Sequence, residues 1–358
     1  GGFERPMWYA LKSEKAEYNY SFGYQNWYPS AEFETKNTRE NVGLFELSPF
    51  SKFDLEGKNV HEELQKICTA NIKDVEGRAT YTQMLNEDGG IETDVTVTCL
   101  EKNQYRVIGP AATREHDKFH IKKHISEEVN FKDVTEDLTC LGLYGPNSRK
   151  LLSNISNDDF TNEGIKFSHG KFVTIDGVKV WAQRLSYVGE IGFELYTNID
   201  ESKKLFLAII KEGKNHGLSL CGAHAMDIMR MESGFLHWGH DISPEENQYQ
   251  AGLNFAISYK KNINFVGKEA LLKIKDKNPT KSLAMMVLKD NMPGEPLLLH
   301  EEPIYLDDKI IGRTTSGNYS FNFKKNISFG YVNSGNSIED LINKNLSIEV
   351  EKKKYPVT

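Results

Sequence analysis

The chain of 358 residues has 39% apolar and 27% charged residues, so it can bury a core and, at roughly 100 to 200 residues per domain, form two or three domains. Its formal net charge of −7 argues against a nucleic-acid-binding protein, because such proteins gain affinity from cations that neutralise phosphates. The sequence holds no run of ~18 apolar residues, so it predicts no membrane span. We therefore expect a soluble chain whose partners are small molecules or other proteins.

The four cysteines indicate a reducing compartment. Cys68, Cys99, Cys140 and Cys221 lie dozens of residues apart without a C-x-x-C pattern, which fits inert core thiols better than a disulfide framework or a zinc site. The first residues show neither a basic nor an apolar signal segment. We expect a cytoplasmic protein.

The first elements predicted along the chain are a hairpin, a third strand and a helix. The hairpin joins residues 79–85 and 91–100 through a polar Asn-Glu-Asp-Gly-Gly turn, and residues 105–109 form the next strand. Pro110 then opens a helix, because a proline in the first turn sacrifices no helical hydrogen bond. The strand and Gly-Pro pattern returns at residues 141–146, which indicates two related α+β modules.

A second hairpin and further helices follow. Asp176-Gly177 is a strong turn signal between two predicted strands. Asp200 is expected to cap the next helix. Another helix should run over residues 223–233, and a short one near residues 267–275.

The chain changes character at residues 275–279, a charged linker. Beyond it lie only short strands and turns, the pattern of a small β-barrel. The predicted fold class is therefore α+β, with two interleaved modules over residues 1–274 and a C-terminal β-barrel over residues 275–358.

Signatures of several catalytic and cofactor classes are missing from the sequence. It contains no G-x-G-x-x-G, no G-x-x-x-x-G-K-[ST], no G-x-S-x-G and no H-E-x-x-H. Dinucleotide binding, P-loop chemistry, serine hydrolysis and zinc proteolysis therefore lack their primary signal.

Asp94 is the first candidate functional acid. Strand alternation in Ile91-Glu-Thr-Asp-Val-Thr-Val-Thr98 places Asp94, Thr96 and Thr98 on one face and two valines on the other. If the valine face packs inward on its own module, Asp94 points into a polar cavity. The competing interpretation is a solvated strand carboxylate, since most ionisable side chains lie on protein surfaces.

Two further acids, Glu190 and Glu194, lie in a glycine-rich segment. The glycines let the backbone approach a flat ligand, while Tyr187 and Tyr196 can stack on it or hydrogen-bond to it. A carboxylate can accept two N–H bonds from the edge of an aminopterin-type ring. The competing interpretation is a glycine-rich hairpin with exposed acids.

Titratable residues on two predicted helices have simpler interpretations. His116, His120 and His124 share one helix face, but the surrounding lysines favour a solvated face, and no metal site is predicted. Arg230 follows Asp227 at helical spacing, which favours an ion pair.

Taken together, several segments resemble one family, the tetrahydrofolate-dependent glycine-cleavage T-protein (aminomethyltransferase) superfamily. They cover nearly the whole chain in order. Within the superfamily the chain is similar to the C-terminal folate-binding half of dimethylglycine and sarcosine dehydrogenases. The segments that carry the resemblance are residues 69–94, Tyr187-Val-Gly-Glu-Ile-Gly-Phe-Glu194, Met229-Arg-Met-Glu-Ser-Gly234, His237-Trp-Gly-His-Asp241 and Phe265-Val-Gly-Lys-Glu-Ala-Leu271.

The resemblance implies a three-domain cloverleaf with a central channel for tetrahydrofolate. Asp94 matches the family's catalytic acid near the reactive folate nitrogens, and Glu194 matches the carboxylate that grips the pteridine. The other cofactor-binding candidates are Tyr187, Thr96, Glu190 and Arg230.

Departures from the T-protein pattern favour the dehydrogenase branch. Thr93 stands where T-proteins usually have an acid, and Met226 stands where they have an arginine before Asp227. Asn247-Gln248 replaces a common Thr-Pro pair, which bears on local loop geometry.

The resemblance implies capture of the one-carbon unit from oxidised dimethylglycine or sarcosine, as a methylamine-derived iminium, to give 5,10-methylene-tetrahydrofolate. FAD is expected on a missing N-terminal half or a partner flavin oxidoreductase, and no flavin site is expected in this chain. The alternatives are a stand-alone glycine-cleavage aminomethyltransferase, a folate-dependent demethylase of another methylated osmolyte, and a non-enzymatic folate-binding protein.

Overall fold

The computed structural model describes residues 2–12, 14–289, 291–333, 338–342 and 344–358. The helices are α1 (Tyr28–Glu40), α2 (Val60–Ile67), α3 (Arg114–His124), α4 (Ser148–Asn154), α5 (Ser202–Gly213), α6 (Ala223–Glu232) and α7 (Lys268–Ile274). The strands are β1 (Val42–Glu46), β2 (Ser51–Glu56), β3 (Ala79–Leu85), β4 (Ile91–Glu101), β5 (Gln104–Gly109), β6 (Asn130–Asp133), β7 (Leu138–Tyr144), β8 (Gly170–Ile175), β9 (Val178–Gln183), β10 (Gly192–Asn198), β11 (Leu218–Cys221), β12 (Ser282–Val287), β13 (Pro303–Leu306), β14 (Lys309–Ser320), β15 (Lys325–Val332), β16 (Leu346–Val350) and β17 (Lys353–Pro356). No helix in these ranges is long and apolar enough to cross a membrane.

Two sheets are interleaved along the chain. Sheet A has the strand order β11-β1-β7-β10-β9-β8, and sheet B has the order β3-β4-β5-β2-β6. Strand β1 pairs with β11 in parallel and with β7 in antiparallel orientation. The chain therefore starts sheet A with β1, builds all of sheet B, and returns to sheet A at β7.

Helices cover the outer faces of both sheets. Leu151 of α4 and Leu205 of α5 are buried in the core of sheet A. Leu64 of α2 and Ile121 of α3 are buried in the core of sheet B. Because each outer face already has its apolar partner, the inner faces of the two sheets are left to face each other.

The third sheet is a C-terminal barrel. Its strands follow the antiparallel order β12-β15-β14-β13-β16-β17. The backbones of Val287, the last residue of β12, and Thr358, two residues after β17, exchange N–H···O bonds of 2.8 and 2.9 Å. These bonds join the first strand to the last and remove the free edges of the sheet. The α+β fold class with a C-terminal barrel is thus confirmed.

Local predictions differ in accuracy. The hairpin predicted at residues 79–85 and 91–100 is confirmed by β3 and β4. The Asp200 cap is wrong, because the Asn198 side chain accepts the hydrogen bond from the Asp200 N–H at 3.0 Å. A 3₁₀ turn at Ile199–Glu201 then precedes α5. Asn and Asp have the same capping chemistry, so only the backbone geometry decides between neighbouring candidates.

One buried carboxylate joins the barrel to the rest of the protein. Asp241 is fully buried, and its Oδ1 accepts hydrogen bonds from Thr315 and Ser316 of the barrel at 2.6 and 2.7 Å. Its Oδ2 accepts from Arg230 Nη1 of α6 at 2.6 Å and from the His237 N–H at 2.9 Å. A single side chain therefore holds together α6, the loop after it and β14.

We predict that Asp241→Ala destabilises the protein by about 3–5 kcal/mol, because it removes one of the two carboxylates that compensate the buried Arg230 guanidinium and takes away the acceptor of the Thr315 and Ser316 hydroxyls. Urea unfolding measures this change. The control is Asp308→Ala, which removes an exposed partner of Lys354 and should cost no more than about 1 kcal/mol. Equal effects of the two substitutions would contradict the role of Asp241.

Candidate functional site

A cavity lies between the inner faces of sheets A and B, and the empty space in it and at its solvent-facing opening is about 240 Å³. Strands β4 and β5 form one wall, and β9, β10 and the residues after β9 form the other. Thr96 and Glu194, both predicted from the sequence, line opposite walls. The other lining residues are Thr98, Leu100, Arg106, Ile108, Trp181, Gln183, Leu185 and Tyr196.

Glu194 lies on β10 among hydroxyl groups. The Tyr196 hydroxyl donates a hydrogen bond to Glu194 Oε2 at 2.6 Å. Burial raises the pKa of Glu194, whereas the hydroxyls of Tyr196 and Tyr144 favour the anion and limit the rise. The register of β9 and β10 pairs Glu194 with Gln183, so the two side chains lie next to each other on the cavity face.

Asp94 lies on the inner face of β4, two residues before Thr96. Val95 and Val97 are buried in the core on the outer face, so the predicted alternation is confirmed. Gln83 Nε2 donates a hydrogen bond to Asp94 Oδ1 at 2.7 Å. Burial raises the pKa of Asp94 to about 6, and the hydrogen bond from Gln83 opposes this rise. Asp94 is therefore a partly buried acid that titrates near neutral pH.

A chain of side-chain amides positions Asp94. Gln248 is fully buried and donates from Nε2 to Gln83 Oε1 at 2.6 Å and to Thr69 Oγ1 at 3.0 Å. Because the oxygen of Gln83 is the acceptor in this bond, its Nε2 is the atom that faces Asp94. Neither glutamine is predicted as a site residue from the sequence. The only signal is the Asn247-Gln248 departure, which bears on loop geometry alone.

Aromatic side chains surround Asp94. The Tyr81 ring stacks with Phe255, and the Tyr187 ring stacks with Phe235, at centroid distances of 6.4 and 6.0 Å. The Tyr187 hydroxyl donates to a backbone carbonyl at 2.7 Å. Burial raises the pKa of both tyrosines, and the charge of Asp94 adds to the rise in each case. The predicted residue Tyr187 is thus brought within electrostatic range of the predicted acid.

Two predicted cofactor ligands form ion pairs instead. Glu190 Oε1 accepts from Arg39 Nη1 at 2.7 Å. Arg230 is 2% exposed and donates to Asp227 and Asp241 at 2.8 and 2.6 Å. Neither Glu190 nor Arg230 lines the cavity between the sheets. Their role as folate ligands stays a prediction. The ion pairs favour a structural role for both residues.

Asp227 keeps one side open to solvent. Its side chain is 40% exposed although it accepts hydrogen bonds from Arg230 Nε and Asn318 Nδ2 at 2.8 and 3.1 Å. Burial lowers the pKa of the neighbouring His237 to about 4, so this imidazole is uncharged at neutral pH. The sequence predicts Asp227 only as the ion-pair partner of Arg230, and its accessible face becomes visible only in the structure.

The histidines of α3 differ from the prediction. His116 Nε2 lies 2.9 Å from Glu92 Oε2. His120 is buried, so a solvated face is wrong for this residue, and burial lowers its pKa to about 4. Within the part of the chain that the structure describes, no group of three or more His, Cys, Asp or Glu residues is placed to hold a metal ion.

Comparison with known proteins identifies the family. Residues 1–261 match the GCVT N-terminal domain, and residues 281–358 match the glycine cleavage T-protein C-terminal barrel domain. The chain belongs to the glycine cleavage T-protein (aminomethyltransferase) family, which binds tetrahydrofolate, and the match supports a folate-dependent transferase.

Similar curated proteins fall into two groups. The chain is 38% identical to 4-methylaminobutanoate oxidase (formaldehyde-forming) of Paenarthrobacter nicotinovorans over 89% of its own length and 38% of that protein. It is 30% identical to mitochondrial dimethylglycine dehydrogenase of Rattus norvegicus over 100% of its own length and 41% of that protein. The chain thus spans about two fifths of these relatives.

The second group consists of shorter proteins. Aminomethyltransferase of Halothermothrix orenii is 32% identical over 85% of this chain and 84% of its own length. The fold matches the crystal structure of glycine cleavage system aminomethyltransferase T from Bartonella henselae with a TM-score of 0.82 and 22% identity, over 95% of this chain and 92% of that one.

We predict that Gln83→Leu raises the pKa of Asp94 above its value of about 6, because the substitution removes the N–H that stabilises the carboxylate. Carbon-detected NMR titration of the aspartate carboxyl measures the pKa. Gln104→Leu, at the far end of the same sheet, is the control and should leave it unchanged. A pKa that stays the same or falls in Gln83→Leu would contradict the proposed contact.

We also predict that the stability of Asp94→Asn relative to wild type increases as pH rises. The folded-state pKa of Asp94, about 6, exceeds the unfolded value of about 3.9. The stability of the wild-type protein therefore falls as pH rises from about 4 to about 6, and the full loss is present above pH 6. The stability difference between Asp94→Asn and wild type should therefore grow from pH 4 to pH 7, by at most about 3 kcal/mol. Chemical denaturation at each pH measures it, and a constant difference would contradict the raised pKa.

Proposed function

We propose that the chain transfers a one-carbon unit to tetrahydrofolate. The carbon comes from an oxidised N-methylated glycine, either dimethylglycine or sarcosine, and the product is 5,10-methylene-tetrahydrofolate. The observation that carries this proposal is that Asp94 lies on the same face of β4 as the cavity-lining Thr96, while Glu194 lines the opposite wall. Glu194 is the hydrogen-bond acceptor for the pteridine, and Asp94 is the acid beside the reacting nitrogens.

The residues of the cavity fit tetrahydrofolate. The pteridine edge carries N–H donors and a carbonyl acceptor, and the cavity offers the acceptor Glu194 next to the amide of Gln183. The aromatic pairs near Asp94 offer flat surfaces for the rest of the molecule.

Tetrahydrofolate supplies the nucleophilic nitrogens, and the protein positions them and manages protons. Asp94 suits the second task, because a carboxyl with a pKa of about 6 is mostly ionised at neutral pH and can still accept a proton. The hydrogen bond from Gln83 to Oδ1 fixes the orientation of the carboxylate.

The charge around Asp94 suits a cationic second substrate. Asp227 presents a partly exposed carboxylate, and Tyr187 is within electrostatic range of both acids. Arg230 pairs with both Asp227 and Asp241, so this group of two carboxylates and one guanidinium keeps one net negative charge, and the uncharged His237 adds no further cation. An iminium cation derived from a methylamine is attracted to such a site, whereas an anionic one-carbon donor is repelled.

We infer that a flavin oxidoreductase, fused or separate, generates the iminium. The similar proteins named as an oxidase and a dehydrogenase are more than twice as long as their match to this chain. The sequence carries no G-x-G-x-x-G signature of its own. A cytoplasmic location stays a prediction, supported by four unpaired and buried cysteines.

A second candidate function is a stand-alone aminomethyltransferase that uses a lipoyl-bound donor. The match to the Halothermothrix orenii aminomethyltransferase over 84% of its length favours it. Oxidised amines other than N-methylglycines are a further option, since one similar protein is named for 4-methylaminobutanoate.

The test combines the chain with tetrahydrofolate, a flavin-dependent oxidase acting on sarcosine or dimethylglycine, and a scavenger of free formaldehyde. Methylene-tetrahydrofolate formed despite the scavenger reports direct capture. Formation only from an aminomethyl-lipoyl donor would favour the second candidate. No transfer from either donor would contradict the proposal.

We predict that Asp94→Asn retains folate binding while transfer falls by about 10²–10⁴-fold, because the base is lost but its shape and its hydrogen bond from Gln83 remain. Glu194→Ala should instead weaken folate binding itself. Calorimetry and the capture reaction measure the two effects separately. Full transfer activity in Asp94→Asn would contradict the role of this acid.

A further inference from the structure

A buried amide group in the cavity wall has an unused hydrogen-bond donor. Gln183 is 2% exposed, and its Oε1 accepts a hydrogen bond from Trp181 Nε1 at 3.0 Å. An indole nitrogen only donates, so the oxygen of Gln183 must face Trp181 and its Nε2 must face away. Among the described residues, Nε2 is buried without a hydrogen-bond acceptor. A buried donor without a partner costs about 1–3 kcal/mol, so its retention calls for an explanation.

The strand register places this donor beside the pteridine-binding acid. Gln183 pairs with Glu194 on one side and with Gly170 on the other, while Glu194 pairs with Gly142 on its own far side. A Cβ at Gly170 would lie 2.6 Å from Gln183 Oε1, and one at Gly142 would lie 2.7 Å from the Tyr144 ring. Both positions therefore require glycine. Across these four strands, Glu194 offers an acceptor and Gln183 offers a donor side by side. The glycine on each side of this pair has no side chain.

This pattern of donor and acceptor complements one edge of a 4-oxo pteridine. That edge has a carbonyl oxygen, which accepts, next to a ring N–H, which donates. A 4-amino pteridine has the reverse order, an NH₂ donor next to a ring nitrogen that accepts. Against the reversed edge, the amide of Gln183 would face another donor and the carboxylate of Glu194 would face a lone pair.

We propose that Gln183 is a specificity-determining residue that donates from Nε2 to the 4-carbonyl oxygen of the pteridine, so that with Glu194 it selects 4-oxo over 4-amino pteridines. The assignment rests on the proposed folate function. A site built to hydrogen-bond a ligand group rejects analogues strongly, because mismatched partners leave buried polar groups unpaired.

The experiment compares the dissociation constants of tetrahydrofolate and its 4-amino analogue, tetrahydroaminopterin, by isothermal titration calorimetry. Wild type should prefer tetrahydrofolate by about 10²-fold or more. Gln183→Met has similar length but no donor, and it should lose about tenfold or more of that preference through weaker tetrahydrofolate binding. Gln183→Glu keeps an acceptor for Trp181 and should shift the preference further toward the 4-amino analogue. Gln104→Met is the matched control and should retain the wild-type preference.

Binding of tetrahydroaminopterin by the Gln183 variants shows that the site is folded. An unchanged preference in Gln183→Met and Gln183→Glu would overturn the role of Gln183 while leaving the proposed function intact. Failure of wild type to bind either pteridine would instead overturn the proposed function.

Discussion

The site depends on the burial of two carboxylates whose hydrogen-bond partners are neutral. Asp94 accepts from the amide of Gln83, and Glu194 accepts from the hydroxyl of Tyr196. Arg106 also lines the cavity, but its guanidinium forms two hydrogen bonds to Asp54. A cation paired with either acid would lower its pKa, whereas neutral donors leave the effect of burial dominant. Burial therefore sets the proton affinity of Asp94 near neutral pH, at a cost in stability that the rest of the fold must offset.

The rest of the fold turns these acids toward the same space and holds them in place. Asp94 and Glu194 are far apart in sequence and belong to different sheets, and both lie on inner faces because each sheet buries its outer face under helices. Asp241 then fixes α6 and the following loop against the barrel, which keeps Asp227 beside the site. The barrel thus contributes to the site through the position of α6.

Patterns within one strand or one turn could be predicted from the sequence. The alternation around Asp94 identified its face correctly, because Val95 and Val97 reveal the buried side without knowledge of any other strand. Contacts that depend on strand pairing could not be predicted. Gln183 becomes a candidate site residue only through the strand register that places it beside Glu194.

The same limit applies to long-range polar contacts. Gln248 reaches Gln83 across 165 positions of the chain, and Glu190 meets Arg39 across 151. The local sequence pattern made Glu190 and Arg230 candidate ligands. It carried no information about which partners their charged groups find in this chain.

The interleaving of the two sheets has a consequence for the order of folding. Sheet B is built from one continuous stretch, β2 to β6, so its strands can pair as soon as that stretch has left the ribosome. Strand β1 is made earlier, but both of its neighbours, β7 and β11, are made after sheet B is complete. Strand β1 therefore has no strand partner while sheet B forms, because contacts of long sequence separation form late. The wall that carries Glu194 is therefore completed after the wall that carries Asp94.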